Sequence, residues 1–365
     1  MRDFSRAERI VIKIGTNLLS KNHSVDTGYL ASMAGQIAEI RGRGKKVLVV
    51  TSGAVGMGAG ELGIREKITG VKMRQACASI GQPLLMKEYK DAFQVHGIII
   101  AQILLTREVL NNRRSYLNLR NSVETLLDLG VIPIFNENDS ISTAEIGNAF
   151  GDNDRLSALV ASKVDADLLI LLTDIDALYT ANPRENPDAV PIPTVEKVTP
   201  EILACAGAAG SAFSTGGMKT KVLAAQIAGK AGCAMVLAHG REESVLPRIL
   251  AGEPLGTVFL AGEKLASRQR WILNSAPRGR IVVDEGAIQA MRKHKSLLPS
   301  GVHEVHGVFA AGDVIWVNEV AKIVTGLDSA EIKSLLGRHS SEIRRLLGEK
   351  KRDVVARPED IVFPD

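Results

Sequence analysis

The feature that most constrains the fold is a series of short, almost wholly apolar segments separated by longer stretches with helical spacing. The segments are RIVIKI (9–14), KVLVVT (46–51), GIIIAQILL (97–105), VIPIF (131–135), DLLILL (167–172) and AMVLA (234–238). Continuous apolar character is typical of strands covered on both faces. Strands that alternate with helices predict an α/β fold with a mostly parallel sheet sandwiched by helices. Because ligands bind at the carboxyl ends of such strands, we expect functional residues in the loops that follow them.

The domain organisation follows from a change of rhythm after residue 262. Before it, one helical stretch opens on the capping candidate Asp26 and another closes on Gly130. After it comes GEKLASRQRWILNSAPRG, a polar stretch with glycine and proline, and then short strands with turn glycines. We therefore expect a first domain over 1–262, a linker over 263–277 and a small β-rich domain over 278–365.

Composition restricts the class of protein. The chain has 45 basic and 41 acidic residues, a net charge of +4 and only 4% aromatic residues, which does not suit a nucleic-acid surface. The cysteines are far apart and form no metal-ligand set, as in proteins of reducing compartments. No apolar signal segment and no run near the ~20 residues of a membrane span is present. We expect a cytoplasmic protein that does not cross a membrane.

The loops after the first two strands carry candidate ligand contacts. Lys13 lies in an apolar strand beside Gly15, which is costly unless its ammonium group leaves the sheet edge or meets an anion. The small residues Ser52, Gly53 and Ala54 follow the second strand and would let a ligand approach the backbone.

A GxGxxG match over 58–63 starts too far beyond the strand and lacks the acidic partner of a dinucleotide site. The GxSxG pattern of a nucleophile elbow is also absent.

Two polar clusters follow one another in the sequence, FNENDSIST (135–143) and GDNDRLSALVASK (151–163). The first contains Asn136 and Asp139 at a strand end, and the second contains 152–154 at a helix start. Their donors and acceptors could recognise an amino group and a carboxylate. A calcium loop is excluded because Leu156 occupies the position of the third oxygen ligand.

The segment STGGMKTK (214–221) places two glycines before a stretch with helical spacing. The first amides of a helix carry partial positive charge, and the glycines would let a phosphate reach them. A Walker A pattern is absent. Lys219 and Lys221 lie about 200° apart around a helix, so only one faces the phosphate, and the spacing does not say which.

The residues 173–174 follow the strand predicted over 167–172. They could contact a nucleotide or its metal, or could cap a turn.

These motifs together resemble the glutamate 5-kinases, which have the amino acid kinase fold. The resemblance rests on VIKIGTNLL, VVTSGAVGMG, FNENDSIST, GDNDRLSALVA, LLTDIDALYT and STGGMKTKVLAA. It covers nearly the whole chain, and FNEND combined with GDND is its most specific part. The segments VDEGAIQAM and VHGVFAAGDVIWV resemble the PUA domain that many of these enzymes carry at the C-terminus.

The resemblance implies transfer of a phosphoryl group from ATP to the side-chain carboxylate of L-glutamate, the first step of proline biosynthesis. Lys13 and Lys221 would clamp the phosphoryl group, Asp154 would hold both lysines, and Lys219 would be solvated. The residues that would bind glutamate are Ser52, Gly53, Ala54, Asn136, Asp139, Asp152 and Asn153. Those that would bind ATP are Lys13, Thr173, Asp174, Thr215, Gly216, Gly217, Met218, Lys219, Thr220 and Lys221. Mg²⁺ would arrive mainly on the phosphates, without a dedicated set of protein ligands.

The resemblance also implies partners and leaves alternatives open. Proline would be a feedback inhibitor, and the chain would form a homo-oligomer, a dimer or a tetramer. RNA is not expected as a partner of the C-terminal domain, because the charge after residue 277 is nearly balanced and aromatic residues are few. Ala177 stands where the family usually has glycine, which would alter a turn beside the nucleotide. The alternatives are a kinase of the same fold acting on acetylglutamate, aspartate or carbamate, or an RNA-binding protein.

Overall fold

A computed structural model describes residues 2–21, 24–66, 68, 70–141, 153–207, 217–336, 338 and 354–364. The chain divides into two compact units, Met1–Lys264 and Leu265–Asp365.

The first unit contains the segments predicted to be strands, and at least one helix separates each of them from the next. Its described strands are β1 Arg9–Ile14, β2 Ser20–Lys21, β3 Ser24–Val25, β4 Lys46–Val50, β5 Ile100–Leu105, β6 Ile132–Glu137, β7 Leu168–Thr173, β8 Leu178–Tyr179, β9 Pro191–Ile192, β10 Thr194–Val195, β11 Ala234–His239 and β12 Thr257–Phe259. Its described helices are α1 Thr16–Leu19, α2 Thr27–Gly42, α3 Ala54–Glu61, α4 Val71–Gln94, α5 Arg107–Asn111, α6 Arg113–Asp128, α7 Asn153–Lys163, α8 Pro200–Gly207, α9 Met218–Gly229 and α10 Val245–Leu250.

The central sheet has the strand order β10-β12-β11-β7-β1-β4-β6-β5. All neighbouring pairs are parallel except β11 with β12. The predicted mostly parallel α/β sheet is therefore confirmed. In this order β1 lies in the interior of the sheet, between β7 and β4, with Lys13 level with Leu171 and Val50. The loops after these three strands therefore meet at one edge.

Side chains of the sheet alternate between two apolar layers. Ile10, Ile12 and Ile14 of β1 pack in the layer formed with α2, α4 and α10. Val11 packs in the opposite layer, formed with α6, α7 and α9. Because successive strand residues point to opposite faces, Lys13 lies on the face of Val11 and is directed at α7 and α9.

Several local predictions hold, and one strand begins later than expected. The Asp26 side chain accepts a hydrogen bond from the Tyr29 amide and caps α2. Gly130 ends α6 with a φ of 72°, as a glycine beyond a helix C-terminus does. The apolar run 97–105 becomes a strand only from Ile100, because Gly97, with a φ of 66°, is used to terminate α4.

The GxGxxG match has a packing explanation. Gly58 lies inside α3, and a Cβ there would overlap the backbone of Cys77 in α4. Gly81 of α4 in turn has the Ala54 carbonyl where its Cβ would be. The two helices cross at backbone contact, which only glycine permits at both positions.

The second unit contains a five-stranded sheet of order β14-β13-β15-β16-β17 in its described part. Its described strands are β13 Gly279–Val283, β14 Val302–Gly307, β15 Val314–Val317, β16 Ala321–Val324 and β17 Ile361–Val362. Its described helices are α11 Ser267–Asn274, α12 Glu285–Arg292 and α13 Ser329–Leu335. The stretch 263–277, which the sequence analysis assigns to a linker, thus includes α11, whose Trp271 is buried. No described helix of either unit is long and apolar enough to span a membrane.

Candidate active site

The centre of the site is a buried ionic group formed by one carboxylate and two lysines. Asp154 lies in the first turn of α7, where a negative charge is favoured by the helix dipole. Its Oδ1 lies 2.6 Å from Lys13 Nζ, and its Oδ2 lies 2.9 Å from Lys221 Nζ. All three side chains are at least 95% buried. The structure therefore brings together the three residues predicted to act in catalysis, from β1, α7 and α9.

The two ammonium groups lie on either side of a single carboxylate, and the Asp174 carboxylate adds a further negative charge near Lys221. Two positive charges held together in a buried site attract the negative charge of a phosphoryl group more strongly than they would in water.

The start of α9 adds a hydroxyl and backbone amides to the ionic group. Thr220 Oγ1 lies 3.0 Å from Asp154 Oδ2 and 2.8 Å from the Gly217 carbonyl. Gly217 is the N-cap residue of α9 and has an extended conformation. The side chain of Met218 is buried in the apolar layer, so only its backbone could meet a ligand. The two lysines differ in burial, since Lys219 is exposed whereas Lys221 is 4% exposed and contacts Asp154.

The loop after β4 supplies small residues beside the site. Ser52 is buried, Gly53 has a φ of 102° and Ala54 begins α3. A left-handed conformation of this kind favours glycine. The turn at Gly53 thereby directs the chain from the sheet edge into α3.

A chain of side-chain amides crosses the other side of the site. Asn153 precedes Asp154 in α7, and its Nδ2 donates to the Thr51 carbonyl, to Ser52 Oγ at 3.2 Å and to Asn136 Oδ1 at 2.8 Å. Asn136 Nδ2 donates in turn to Gln82 Oε1 at 2.8 Å. Adjacent residues of α7 thus belong to two clusters, because Asp154 holds the lysines and Asn153 connects the loop after β4 with the end of β6.

Asp139 follows β6 in a half-buried turn. Burial raises the pKa of its carboxyl, and the positive charge of Arg74 on α4 opposes this shift. Burial disfavours the negative charge of this carboxylate. A cationic ligand group beside it, such as an ammonium, would stabilise that charge.

Thr173 and Asp174 end β7 beside β1. Asp174 accepts hydrogen bonds from Asn17 Nδ2 at 2.8 Å and from Thr173 Oγ1 at 3.0 Å. Burial would raise the pKa of the Asp174 carboxyl. The hydrogen bonds from Asn17 and Thr173 outweigh burial, and the charge of Lys221 adds to them, so this pKa lies below its usual range. Asp174 is therefore held ionised at the edge of the site.

Other predicted features are placed as follows. Ala177 is buried and its φ is not positive, so an L-residue fits this turn without strain. Asp152, Thr215 and Gly216 lie outside the described residues. Among the described residues, no group of three or more His, Cys, Asp or Glu side chains could hold a metal ion.

Three residues near the site were missed by sequence reasoning. Gln82 had a usable signal, since it is a polar residue on the apolar stripe that also contains Ala78 and Leu85 of α4. Asn17 and Arg74 had no such signal in the sequence. Their partners, Asp174 and Asp139, are distant in the sequence, and the contacts follow from the sheet order.

Comparison with known families agrees with this architecture. The sequence model of the amino acid kinase family matches residues 8–239, and that of the PUA domain matches residues 279–347. The first match spans the ionic group, the amide chain and every strand of the central sheet except β12, and the second spans most of the second unit.

Curated relatives narrow the class further. Glutamate 5-kinase of Methanosarcina barkeri is 47% identical, over 91% of this chain and 90% of the relative. Glutamate 5-kinase of Methanococcoides burtonii is 46% identical, over 97% of this chain and 96% of the relative. Glutamate 5-kinase of Geobacter sulfurreducens is 44% identical, over 98% of each chain. The chain therefore belongs to the amino acid kinase family and, within it, to the family of glutamate 5-kinases.

Among solved structures, carbamate kinase from Giardia lamblia bound to AMP-PNP is similar with a TM-score of 0.52. The two sequences are 18% identical, and the match covers 70% of this chain and 99% of that one. At this identity the likeness concerns the fold alone, and it agrees with the sheet described above.

Proposed function

We infer that the chain transfers the γ-phosphoryl group of ATP to the side-chain carboxylate of L-glutamate. The observation that carries this inference is the buried group of Lys13, Asp154 and Lys221, with its two ammonium groups, next to the amide chain that begins at Asn153. One cluster suits a transferring phosphoryl group, and the adjacent cluster suits the polar groups of an amino acid. The glutamate 5-kinase relatives support glutamate as the acceptor.

The reaction needs charge stabilisation more than proton transfer. A bond forms between a carboxylate oxygen of glutamate and the γ-phosphorus, and the bond to the β,γ-bridging oxygen breaks, so that ADP leaves with the electron pair. The attacking carboxylate is already ionised near neutral pH, and no proton has to be removed. The lysines balance the charge on the phosphoryl oxygens, and the backbone amides at the start of α9 add to this effect.

We further propose that Mg²⁺ enters with ATP. When bound, it neutralises charge on the phosphates. The residues fit this arrangement, because Asp174 is ionised and held by Asn17 and Thr173. Asp174 is thus the carboxylate that we expect to contact the ion, directly or through water.

A substrate panel tests the proposed function. ADP release is measured with ATP and Mg²⁺ in the presence of L-glutamate, N-acetylglutamate, L-aspartate or carbamate. We expect turnover with L-glutamate and at most slight turnover with the other acceptors. Turnover with N-acetylglutamate and none with L-glutamate would reverse the assignment.

The raised pKa of Asp139 predicts a pH dependence for glutamate binding. Only the ionised carboxyl can pair with the α-ammonium of glutamate, so we expect KM for glutamate to rise as pH falls through this raised pKa and to be constant above it. The measurement is KM for glutamate from mildly acidic to slightly alkaline pH. Asp139→Asn should have a high KM that lacks this dependence. A wild-type KM that is independent of pH would contradict the assigned role.

We propose proline as an inhibitor that competes with glutamate. Proline carries an α-carboxylate and an α-ammonium group but no side-chain carboxylate, so it could use the α-group contacts without accepting phosphate. Initial rates at several concentrations of both amino acids test this. Unchanged rates at millimolar-scale proline would exclude it.

We also propose a homo-oligomer, a dimer or a tetramer. The strand β5 is at an edge of the described sheet and is only partly buried along its length, and such edges are generally protected by pairing or covering. Light scattering coupled to gel filtration gives the mass, and a monomer at all concentrations would contradict the proposal.

A cytoplasmic location is the last part of the proposal. Cys77, Cys205 and Cys233 are free thiols, and two of them are buried, as is usual in reducing compartments. Cell fractionation tests the location, and recovery of the protein outside the cytoplasmic fraction would disprove it.

A further inference from the structure

We propose that Gln82 is a positioning residue that fixes the amide orientations of Asn136 and Asn153, and thereby makes Asn153 an acceptor for the α-ammonium group of the amino-acid substrate. This inference rests on the proposed function. It assigns a role to a residue of α4 that sequence motifs do not identify.

Hydrogen bonds between side-chain amides connect Gln102, Gln82, Asn136 and Asn153. Gln82 Nε2 donates to Gln102 Oε1 at 2.9 Å, and Gln82 Oε1 accepts from Asn136 Nδ2 at 2.8 Å. Asn136 Oδ1 then accepts from Asn153 Nδ2 at 2.8 Å and from the Glu137 amide at 3.0 Å. In each of these side-chain hydrogen bonds the amide nitrogen of one residue donates to the amide oxygen of the next, in the order Asn153, Asn136, Gln82, Gln102. Turning one amide over would therefore place two donors or two acceptors against each other.

The far end of the chain has a fixed polarity. The Thr51 carbonyl can only accept, and the Asn136 oxygen that Gln82 orients is a second acceptor, so the amide nitrogen of Asn153 faces both. That nitrogen has two hydrogens, and three acceptors of the protein surround it: the Thr51 carbonyl, Ser52 Oγ and Asn136 Oδ1. The group that Asn153 retains for a ligand is therefore its oxygen, which recognises a donor such as an ammonium.

The position of Gln82 is held by packing as well as by hydrogen bonds. Its side chain is 8% exposed, and a buried amide is destabilising unless both its ends are bonded. The neighbouring Gly81 lies in backbone contact with Ala54. This contact fixes the distance between α4 and the segment 52–54, whose Ser52 also accepts a hydrogen bond from Asn153.

The proposal has a consequence for specificity. An α-ammonium group carries charge and three donors, whereas an N-acetylated amino acid has a single neutral N–H and a bulky acyl group. An Asn153 oxygen fixed by Gln82, together with the Asp139 carboxylate, favours the free amino acid. Loss of Gln82 should therefore weaken glutamate binding and leave ATP binding unchanged.

The test compares Gln82→Met, which keeps the length of the side chain, with Gln82→Glu, which keeps an oxygen for Asn136. Gln94→Met at the exposed end of α4 is the matched control. We expect Gln82→Met to raise KM for glutamate roughly tenfold, as loss of a hydrogen bond worth about 1–1.5 kcal/mol would. KM for ATP should change less than about twofold, and Gln82→Glu should lie between wild type and Gln82→Met.

The outcomes separate this inference from the proposed function. A wild-type protein that does not phosphorylate glutamate overturns both. An active wild type whose Gln82→Met variant keeps its KM for glutamate overturns only the role of Gln82. Equal increases in both KM values, or a melting temperature lowered along with ATP affinity, would indicate a structural role and likewise overturn it. If Gln82→Met does not fold, Gln82→Glu supplies the same comparison.

Discussion

Replacing Lys221 with methionine should lower kcat by about 10³-fold or more and leave the fold intact. A positive group that balances charge on the transferring phosphoryl is worth roughly 10³–10⁵ in kcat in phosphoryl-transfer enzymes. Lys221 is one of two ammonium groups buried against Asp154. The substitution leaves Asn153 and Asn136, the residues proposed to bind glutamate, unchanged, so KM for glutamate should change little.

The charges that remain in Lys221→Met determine the expected change in its free energy of unfolding. Removal of Lys221 leaves Lys13 and Asp154 paired at 2.6 Å, so the buried Asp154 carboxylate keeps a positive partner. Methionine fills the space of the lysine stem. We therefore expect the free energy of unfolding to change by less than about 1 kcal/mol.

The neighbouring lysine supplies the control. Lys219 is two residues away on α9, and its side chain is exposed. Lys219→Met should reduce kcat by less than about threefold. Initial rates at saturating ATP and glutamate measure both variants. A large loss in Lys219→Met with full activity in Lys221→Met would exchange their roles.

Replacing Asp154 with asparagine should have the largest effect on stability. The carboxylate is fully buried and contacts Lys13 and Lys221. Its neutral replacement leaves two buried ammonium groups side by side, and breaking a buried ionic group in this way costs about 3–5 kcal/mol. Denaturant unfolding measures the loss, and kcat should fall together with stability because the lysines are no longer held.

A double variant separates the charge effect from a packing effect. If repulsion between the lysines causes the instability, Lys221→Met added to Asp154→Asn should recover about 2 kcal/mol, since only one ammonium group remains. The single variant Lys221→Met is the reference for the cycle. Additive effects of the two substitutions would show that the three side chains do not act as one charged unit.

The sequence was sufficient to predict the sheet and the edge at which the site is formed. Continuous apolar runs such as 167–172 are strong signals because both faces of a parallel strand are covered. Lys13 was informative for the same reason, since a charge in such a strand requires a partner. The partner itself, Asp154, came from the resemblance, because the periodicity of an isolated segment does not say which elements become neighbours.

The remaining parts of the site depend on tertiary structure. Burial distinguishes Lys221 from Lys219, whereas their spacing in the sequence does not. Asn17 bonds to Asp174 across the boundary between β1 and β7, a contact that exists only after the strands have paired. The helix α11 was hidden by the polar composition of 263–277, because Trp271 is buried by tertiary contacts that composition does not reveal.

The central claim is that the side-chain carboxylate of glutamate accepts the phosphoryl group at the Lys13–Asp154–Lys221 site. The most direct measurement traps the product with hydroxylamine, which converts an acyl phosphate to a hydroxamate, and identifies it by mass spectrometry beside the ADP released. We predict glutamate γ-hydroxamate in a 1:1 ratio to ADP for the wild type and almost none for Lys221→Met. ADP release without this hydroxamate, or undiminished hydroxamate from Lys221→Met, would contradict the account.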